Sequence, residues 1–299
     1  MSTSDLDYNA TVGGSVPGTW DPLADITHVV VVEGCGCAAC QAFGEAGTNG
    51  ASKGGINGAN PEGQNIGTLL TLTTNPDGSR SFSGNRNVDA TLIGAKWGPQ
   101  DLTFSFPTSG TNYNGSGYDS NGVSLYHLDL GTQQQAAARA GFAQIAAATG
   151  LKLTEIIETD TVHANFRISQ SGDNDVASAY GGFPSDTRGV AGDIWFGRTS
   201  QPYYDLAAQG TWGFSTMLHE IGHTMGLKHG HQDYTNSDLS FYFGSFPRFG
   251  SQSLTPDRDG QAWSLMTYTP APGTSGFAGE KSNQPQTYMQ YDLAALQYM

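Results

Sequence analysis

The sequence predicts an α+β domain built on a twisted mixed β-sheet with long helices. Three stretches carry the prediction. Leu102-Thr103-Phe104-Ser105-Phe106 alternates apolar with polar residues, the pattern of a strand with one face on a core. Gln133 to Thr149 is rich in alanine, sets Phe142, Ile145 and Ala146 on one side, and meets a stop at Gly150. From Thr211 onward, Phe214, Met217, Leu218 and Ile221 recur at helical spacing and lead into a histidine-rich segment.

Taken in order, residues 1–85 differ from the rest. Ile26 to Val32 reads as a short buried strand, and a cysteine cluster follows at once. Gly44 to Asn65 is crowded with Gly, Asn and Ala and reads as an exposed linker. Thr68 to Thr73 and Ser79 to Ser83 are strand candidates around the turn Asn75-Pro76-Asp77-Gly78. Residues 86–299 read as the second unit. After the Leu102–Phe106 strand comes a loop from Thr108 to Asn121, then the alanine-rich helix. Leu151–Glu158, Ala164–Ser169, Ala177–Phe183 and Asp193–Gly197 are further strand candidates. A helix is expected over Trp212 to Leu227. Asp233 to Asp259 is a loop-rich insert carrying Phe241, Tyr242, Phe243 and Phe246. A last helix is expected over Tyr288 to Met299, with Met289, Leu293 and Leu296 on one face.

The chemistry concentrates in His219-Glu220-Ile221-Gly222-His223-Thr224-Met225-Gly226-Leu227-Lys228-His229. On a helix, His219 and His223 lie one turn apart on one face, where two imidazoles can share a metal ion. Glu220 sits beside them as a carboxylate able to take a proton. Gly226 permits the positive φ that ends a helix and turns the chain, so His229 can return as a third nitrogen ligand. Three protein ligands leave a fourth position for water, the arrangement of a catalytic rather than a structural zinc. Downstream, Ser264-Leu265-Met266-Thr267-Tyr268 is a second signal.

With both signals in this order, residues 87–299 resemble the catalytic domain of a metzincin zinc metallopeptidase, and Tyr268 two residues after Met266 makes the serralysin branch the nearest likeness. The resemblance implies a zincin-like fold with the zinc helix under a cleft. It implies Zn2+ held by His219, His223 and His229, Glu220 as general base, and Met266 in a Met-turn beneath the ligands. Tyr268 is implied as a distant metal ligand that donates to the oxyanion once substrate displaces it. The segment around Ala177, Ser178, Ala179 and Tyr180 is implied as the antiparallel edge strand that holds an extended peptide. One departure stands out: Gly230-His231 follows His229 where serralysins carry a proline, so His231 offers a competing imidazole, although the family spacing favours His229. His28, His127 and His163 lack ligand spacing and read as surface or core residues.

Composition narrows the partners. Lys and Arg total 13 against 27 Asp and Glu, a formal net charge of −14, which leaves no basic patch for nucleic acid. No apolar run approaches the ~20 residues of a membrane span; none exceeds the length of Val29 to Val32. The acidic N-terminus lacks a signal-peptide core. The resemblance implies an extracellular protein exported by a type I route, acting as a monomer on protein or peptide substrates. Calcium finds no support, because no Gly-Gly-x-Gly-x-Asp repeat is present.

The 3 cysteines all fall in Cys35-Gly36-Cys37-Ala38-Ala39-Cys40. An odd number excludes a complete intrachain disulfide framework. Some metzincins stay silent because a pro-segment cysteine, a good zinc ligand as thiolate, occupies the open zinc position; that likeness implies that residues 1–85 are a pro-segment in which Cys35, Cys37 or Cys40 caps the metal and holds the enzyme latent. The plainer alternative is a separate metal or redox cluster, or a turn with no role. For the whole chain, the alternative function is a metal-binding surface or adhesion module without turnover. The intact Glu220 argues against it.

Overall fold

The computed structural model describes residues 67–71, 73–76, 80–113, 123–159, 162–174, 176–184, 190–198, 203–232, 252–272 and 283–299. The expected strand at 26–32, the cysteines 35, 37 and 40, the linker at 44–65 and the aromatics 241, 242, 243 and 246 lie outside these residues.

The first described strands are β1 Gly67–Leu69, β2 Thr73–Thr74 and β3 Arg80–Ser81. The expected strand over Thr68–Thr73 is therefore two short pieces. β2 pairs antiparallel with β3, while β1 pairs antiparallel with β4 Ala95–Trp97. Leu70 and Phe82 are buried in the main core. So part of the segment preceding residue 86 packs directly on described residues that follow it. A short helix, α1 Arg86–Asp89, is capped by the Asn85 side chain. Asp89 is buried and accepts from the N–H groups of Phe82 and Ser83.

The main sheet comprises β5 Asp101–Ser105, β6 His127–Leu128, β7 Lys152–Glu155, β8 Phe166–Ser171, β9 Ala179–Gly181 and β10 Asp193–Gly197. Its order is β7-β5-β8-β10-β9, with β6 also against β8. The pairs β5–β7, β5–β8 and β8–β10 are parallel, and β9 and β6 run antiparallel to their neighbours. The sheet is thus mixed. A parallel β5–β7 pair needs a long crossover, and α2 Thr132–Thr149 supplies it, ending at Gly150 as the sequence predicts.

Alternation sorts the two faces. Phe104, Phe166, Ile168, Ile194 and Phe196 join the main core with Ala138, Phe142 and Ile145 of α2 and with α3, Trp212–Met225. The opposite face carries Tyr113, Val123, Val176 and Trp195 in a second cluster. There the buried Arg167 lies over the Tyr113 ring at 4.0 Å and pairs with Glu158 at 2.8 Å. The last helix, α4 Gln290–Tyr298, lies within the expected span, and Leu293 and Leu296 both pack on the main core. Tyr291, Asp292, Ala295 and Leu296 are buried, while Met289 and Leu293 are only partly so. The buried Asp292 carboxylate takes the Ser264 hydroxyl at 2.6 Å and the Leu265 N–H at 2.7 Å. Those bonds turn the aspartate inward.

Candidate metal centre

Helix α3 is held from several sides before it offers any ligand. The Thr211 side chain caps its start. Trp97 donates its indole N–H to the Thr224 carbonyl at 2.6 Å, and the Tyr288 hydroxyl donates to the Leu218 carbonyl at 2.7 Å. Every residue from Gly213 to Met225 is buried. At Gly226 the backbone adopts φ +111°, a left-handed conformation that side chains resist, and the helix ends. The outgoing chain is then tied to the 91–93 segment: Ile93 N–H to the Gly226 carbonyl at 3.0 Å, Lys228 N–H to the Thr91 carbonyl at 2.8 Å. That route carries His229 back toward His219 and His223.

The three imidazoles meet tip to tip. His229 Nε2 lies 3.1 Å from His219 Nε2 and 3.0 Å from His223 Nε2. Each opposite nitrogen faces an oxygen that can only accept. His219 Nδ1 is 3.1 Å from the Leu265 carbonyl, His223 Nδ1 is 2.7 Å from the Leu227 carbonyl, and His229 Nδ1 is 2.7 Å from Gln232 Oε1. Each Nδ1 is therefore the protonated nitrogen, and in a neutral ring each Nε2 carries a lone pair. Three lone pairs converging at these distances repel unless a cation sits among them. Around a tetrahedral zinc with Zn–N of about 2.0–2.1 Å, ligand nitrogens lie about 3.3 Å apart. The observed spacing falls close to that value, so the residues fit a metal ion. Among the described residues this is the group of His, Cys, Asp and Glu side chains so arranged.

Electrostatics agree. Burial, reinforced by repulsion from His223, holds His219 and His229 well below the usual imidazole range. Burial brings His223 down to about 4 despite its bond to the Leu227 carbonyl. All three rings are neutral near pH 7, the form that binds metals.

Of the other residues singled out by the sequence, Tyr268 and His231 lie beside this cluster, and Glu220 and Met266 are buried on or against its helix. Glu220 is 4% exposed, on the same helix. Met266 is fully buried, and a Cβ placed on Gly222 would come 2.7 Å from its sulfur. The thioether thus lies directly against α3, between the turns that carry His219 and His223. The Tyr268 hydroxyl is 2.8 Å from His229 Nε2, and its ring stacks on His219 at 5.6 Å. His231 stands aside. Its ring stacks on His229 at 5.4 Å, and its Nδ1 faces the Tyr268 N–H at 3.4 Å rather than the other imidazoles. His127 faces the Pro107 carbonyl at 3.0 Å, and His163 pairs with Glu158 at 3.1 Å; neither reaches the cluster. Cys35, Cys37 and Cys40 lie outside the described residues.

Some neighbours carry no motif signal. Gln232 and the Leu265 carbonyl orient rings from positions that spacing alone does not mark. Phe183 meets His223 edge-on at 5.3 Å. Lys228 is fully buried, and its ammonium donates to the carbonyls of Gln232 and Gln252, each at 2.9 Å.

No family model matches the sequence. The chain is 28% identical over 191 residues to the metallopeptidase AprA of Pseudomonas marginalis. The aligned region covers 63% of this chain and 34% of that protein, so the chain spans about a third of the relative's length. The chain thus combines similarity to a metallopeptidase with a three-histidine cluster compatible with a metal ion. No helix among the described residues is long and apolar enough to cross a membrane.

Proposed function

We propose that this chain is a zinc-dependent endopeptidase of the serralysin-like metzincin kind, secreted and acting on proteins or peptides. The observation that carries the reading is the convergence of three imidazole Nε2 atoms whose Nδ1 atoms are all committed to acceptors. His219, His223 and His229 would hold the ion. When bound there, zinc supplies Lewis acidity toward a carbonyl and makes water more acidic. Glu220 takes the proton from the attacking water and returns it to the leaving amine. Tyr268, whose hydroxyl already reaches the cluster, donates a hydrogen bond to the developing oxyanion. Strand β9 ends the sheet among the described strands, and it holds substrate backbone by strand addition. Met266 keeps the floor under the histidines apolar.

Residues 1–85 would act as a pro-segment on this reading, with Cys35, Cys37 or Cys40 supplying a thiolate that would occupy the open position of a bound zinc. The division into 1–85 and 86–299 marks a change of role, since β1 packs on β4.

The test is casein hydrolysis by the zinc-loaded chain, by a form with all three cysteines changed to serine, and by Glu220→Gln in each. The serine form should cleave faster than the parent. Glu220→Gln should keep its zinc and lose about 10²- to 10⁴-fold in rate, the usual worth of a general base. Zinc-loaded serine form that stays folded and cleaves nothing would put a metal-binding module in place of the enzyme.

A further inference from the structure

The three imidazoles are not held alike. His219 and His223 point their Nδ1–H groups at backbone carbonyls, which no substitution of the partner residue can remove. His229 points its own at a side chain, Gln232 Oε1, at 2.7 Å. His229 is also the ligand candidate outside the helix, on the turn that follows Gly226. Its orientation therefore rests on a loop contact rather than on helical geometry. That contact is built. Gln232 N–H donates to the His229 carbonyl at 3.2 Å, and the buried Lys228 ammonium clamps the Gln232 carbonyl at 2.9 Å. The same ammonium takes the Gln252 carbonyl at 2.9 Å, which ties the turn to the far side of the 233–251 segment.

The charge of the partner matters as much as its place. An imidazole that donates to a carboxylate becomes a stronger ligand and passes negative charge toward the metal. Here all three partners are uncharged: two peptide carbonyls and one amide. Three neutral rings would leave the charge of a bound ion undiminished by the ligands themselves.

We propose that Gln232 is the positioning residue of the metal centre. It fixes the tautomer and angle of His229, and by being an amide rather than a carboxylate it trades metal affinity for electrophilic charge. The inference rests on the metal-centre reading above. Its consequence is directional. Removing the acceptor weakens metal binding, while replacing it with a charged acceptor strengthens metal binding and weakens the binding of anions to the bound ion.

The experiment uses the full chain with Cys35, Cys37 and Cys40 changed to serine, so that no thiolate competes for the ion, as the parent (wild type at Gln232) and with Gln232→Leu or Gln232→Glu. Zinc affinity is measured at pH 7 by competition with a chromophoric chelator, and acetohydroxamate affinity is measured on each zinc-loaded form. The Co2+-substituted proteins give a visible spectrum that reports ligand geometry, and melting of the metal-free forms shows that each is folded. Gln232→Leu should lose about 10- to 100-fold in zinc affinity, the usual effect of losing such a partner. It should also show an altered Co2+ spectrum. Gln232→Glu should bind zinc more tightly than the parent and acetohydroxamate more weakly. If the parent binds no zinc, the metal-centre reading itself fails. If the parent binds zinc and Gln232→Leu matches it in affinity and spectrum, the positioning role is refuted. If Gln232→Glu leaves both affinities at the parent's values, the charge argument is refuted. That last comparison stands even if the leucine variant does not fold.

Discussion

Replacing Gly181 by alanine measures how closely β9 is seated on α3. An alanine Cβ at Gly181 would lie 2.4 Å from the carbonyl oxygen of Glu220 and 3.1 Å from Thr224 Cγ2. Ordinary contacts begin at 3.4 Å, so the first is about 1 Å too short. The obstructing atom is helix backbone, which cannot swing aside as a side-chain tip can. Either β9 or α3 must move. Forced overpacking of this kind costs about 1–3 kcal/mol. Loss of glycine's freedom in the unfolded chain returns about 0.4–1 kcal/mol. The net expectation is a loss of about 1–2 kcal/mol, or a fall of about 0.5 M in the urea midpoint at an m-value near 3 kcal/mol/M. Gly260→Ala is the control: the nearest atom to its Cβ is the Pro270 carbonyl oxygen at 3.6 Å, an ordinary contact. That variant should be neutral or slightly more stable. Because α3 carries His219 and His223, zinc affinity should drop in Gly181→Ala and hold in Gly260→Ala. If the two variants unfold at the same urea concentration and bind zinc alike, the seating of β9 on α3 is wrong.

Three further outcomes stem from buried charge. Arg167→Met leaves the Glu158 carboxylate buried without its guanidinium, which should cost about 3–5 kcal/mol in urea unfolding. Burial pushes that carboxyl up, but the bonds from Arg167, Ser105 and His163 outweigh it and hold it below the usual range, so its contribution is present above that range and fades as pH falls. A wild-type midpoint in Arg167→Met would contradict this. In the metal-free protein the folded state excludes protons from His223 between about 6.5 and about 4, while the unfolded chain takes them up. Its stability should therefore fall by about 3 kcal/mol as pH drops through that window, with His223→Ala showing a shallower fall. Equal slopes would refute the assignment. Asp292→Ala removes the acceptor of Ser264 and Leu265, the residue whose carbonyl orients His219. It should lower both the melting temperature and zinc affinity, and a loss of stability with zinc affinity intact would show that the link to His219 is not transmitted.

The helix and the ligand candidates were legible because their signal is contiguous. His219 and His223 share a face by helical periodicity alone, and Gly226 announces the turn that brings His229 back. Strand β5 was legible because Leu102 and Phe104 alternate with polar residues. What the sequence hides is set by tertiary contact. Ala177–Phe183 reads as one strand, but the ladder runs only opposite Ile194–Phe196, so β9 is confined to Ala179–Gly181. The burial of Asp292 in α4 carries no periodic signal, because it is turned inward by hydrogen bonds to Ser264 and Leu265. Gln232 escaped notice for a related reason. An amide three residues beyond a histidine carries no spacing signal until the turn places its oxygen on Nδ1. The choice between His229 and His231 likewise needed geometry: the backbone aims one imidazole at the cluster and lays the other flat beside it.

The most direct test of the account is X-ray absorption at the zinc edge on the zinc-loaded chain with its three cysteines changed to serine. Removing the sulfurs isolates the histidine set. The account predicts one bound zinc with three imidazole nitrogens at about 2.0–2.1 Å and a further oxygen. It also predicts that His229→Ala loses one nitrogen from that shell while His231→Ala leaves it unchanged. A shell with fewer than three imidazoles, or one that changes with His231 and not with His229, would contradict the metal centre on which the proposed function is built.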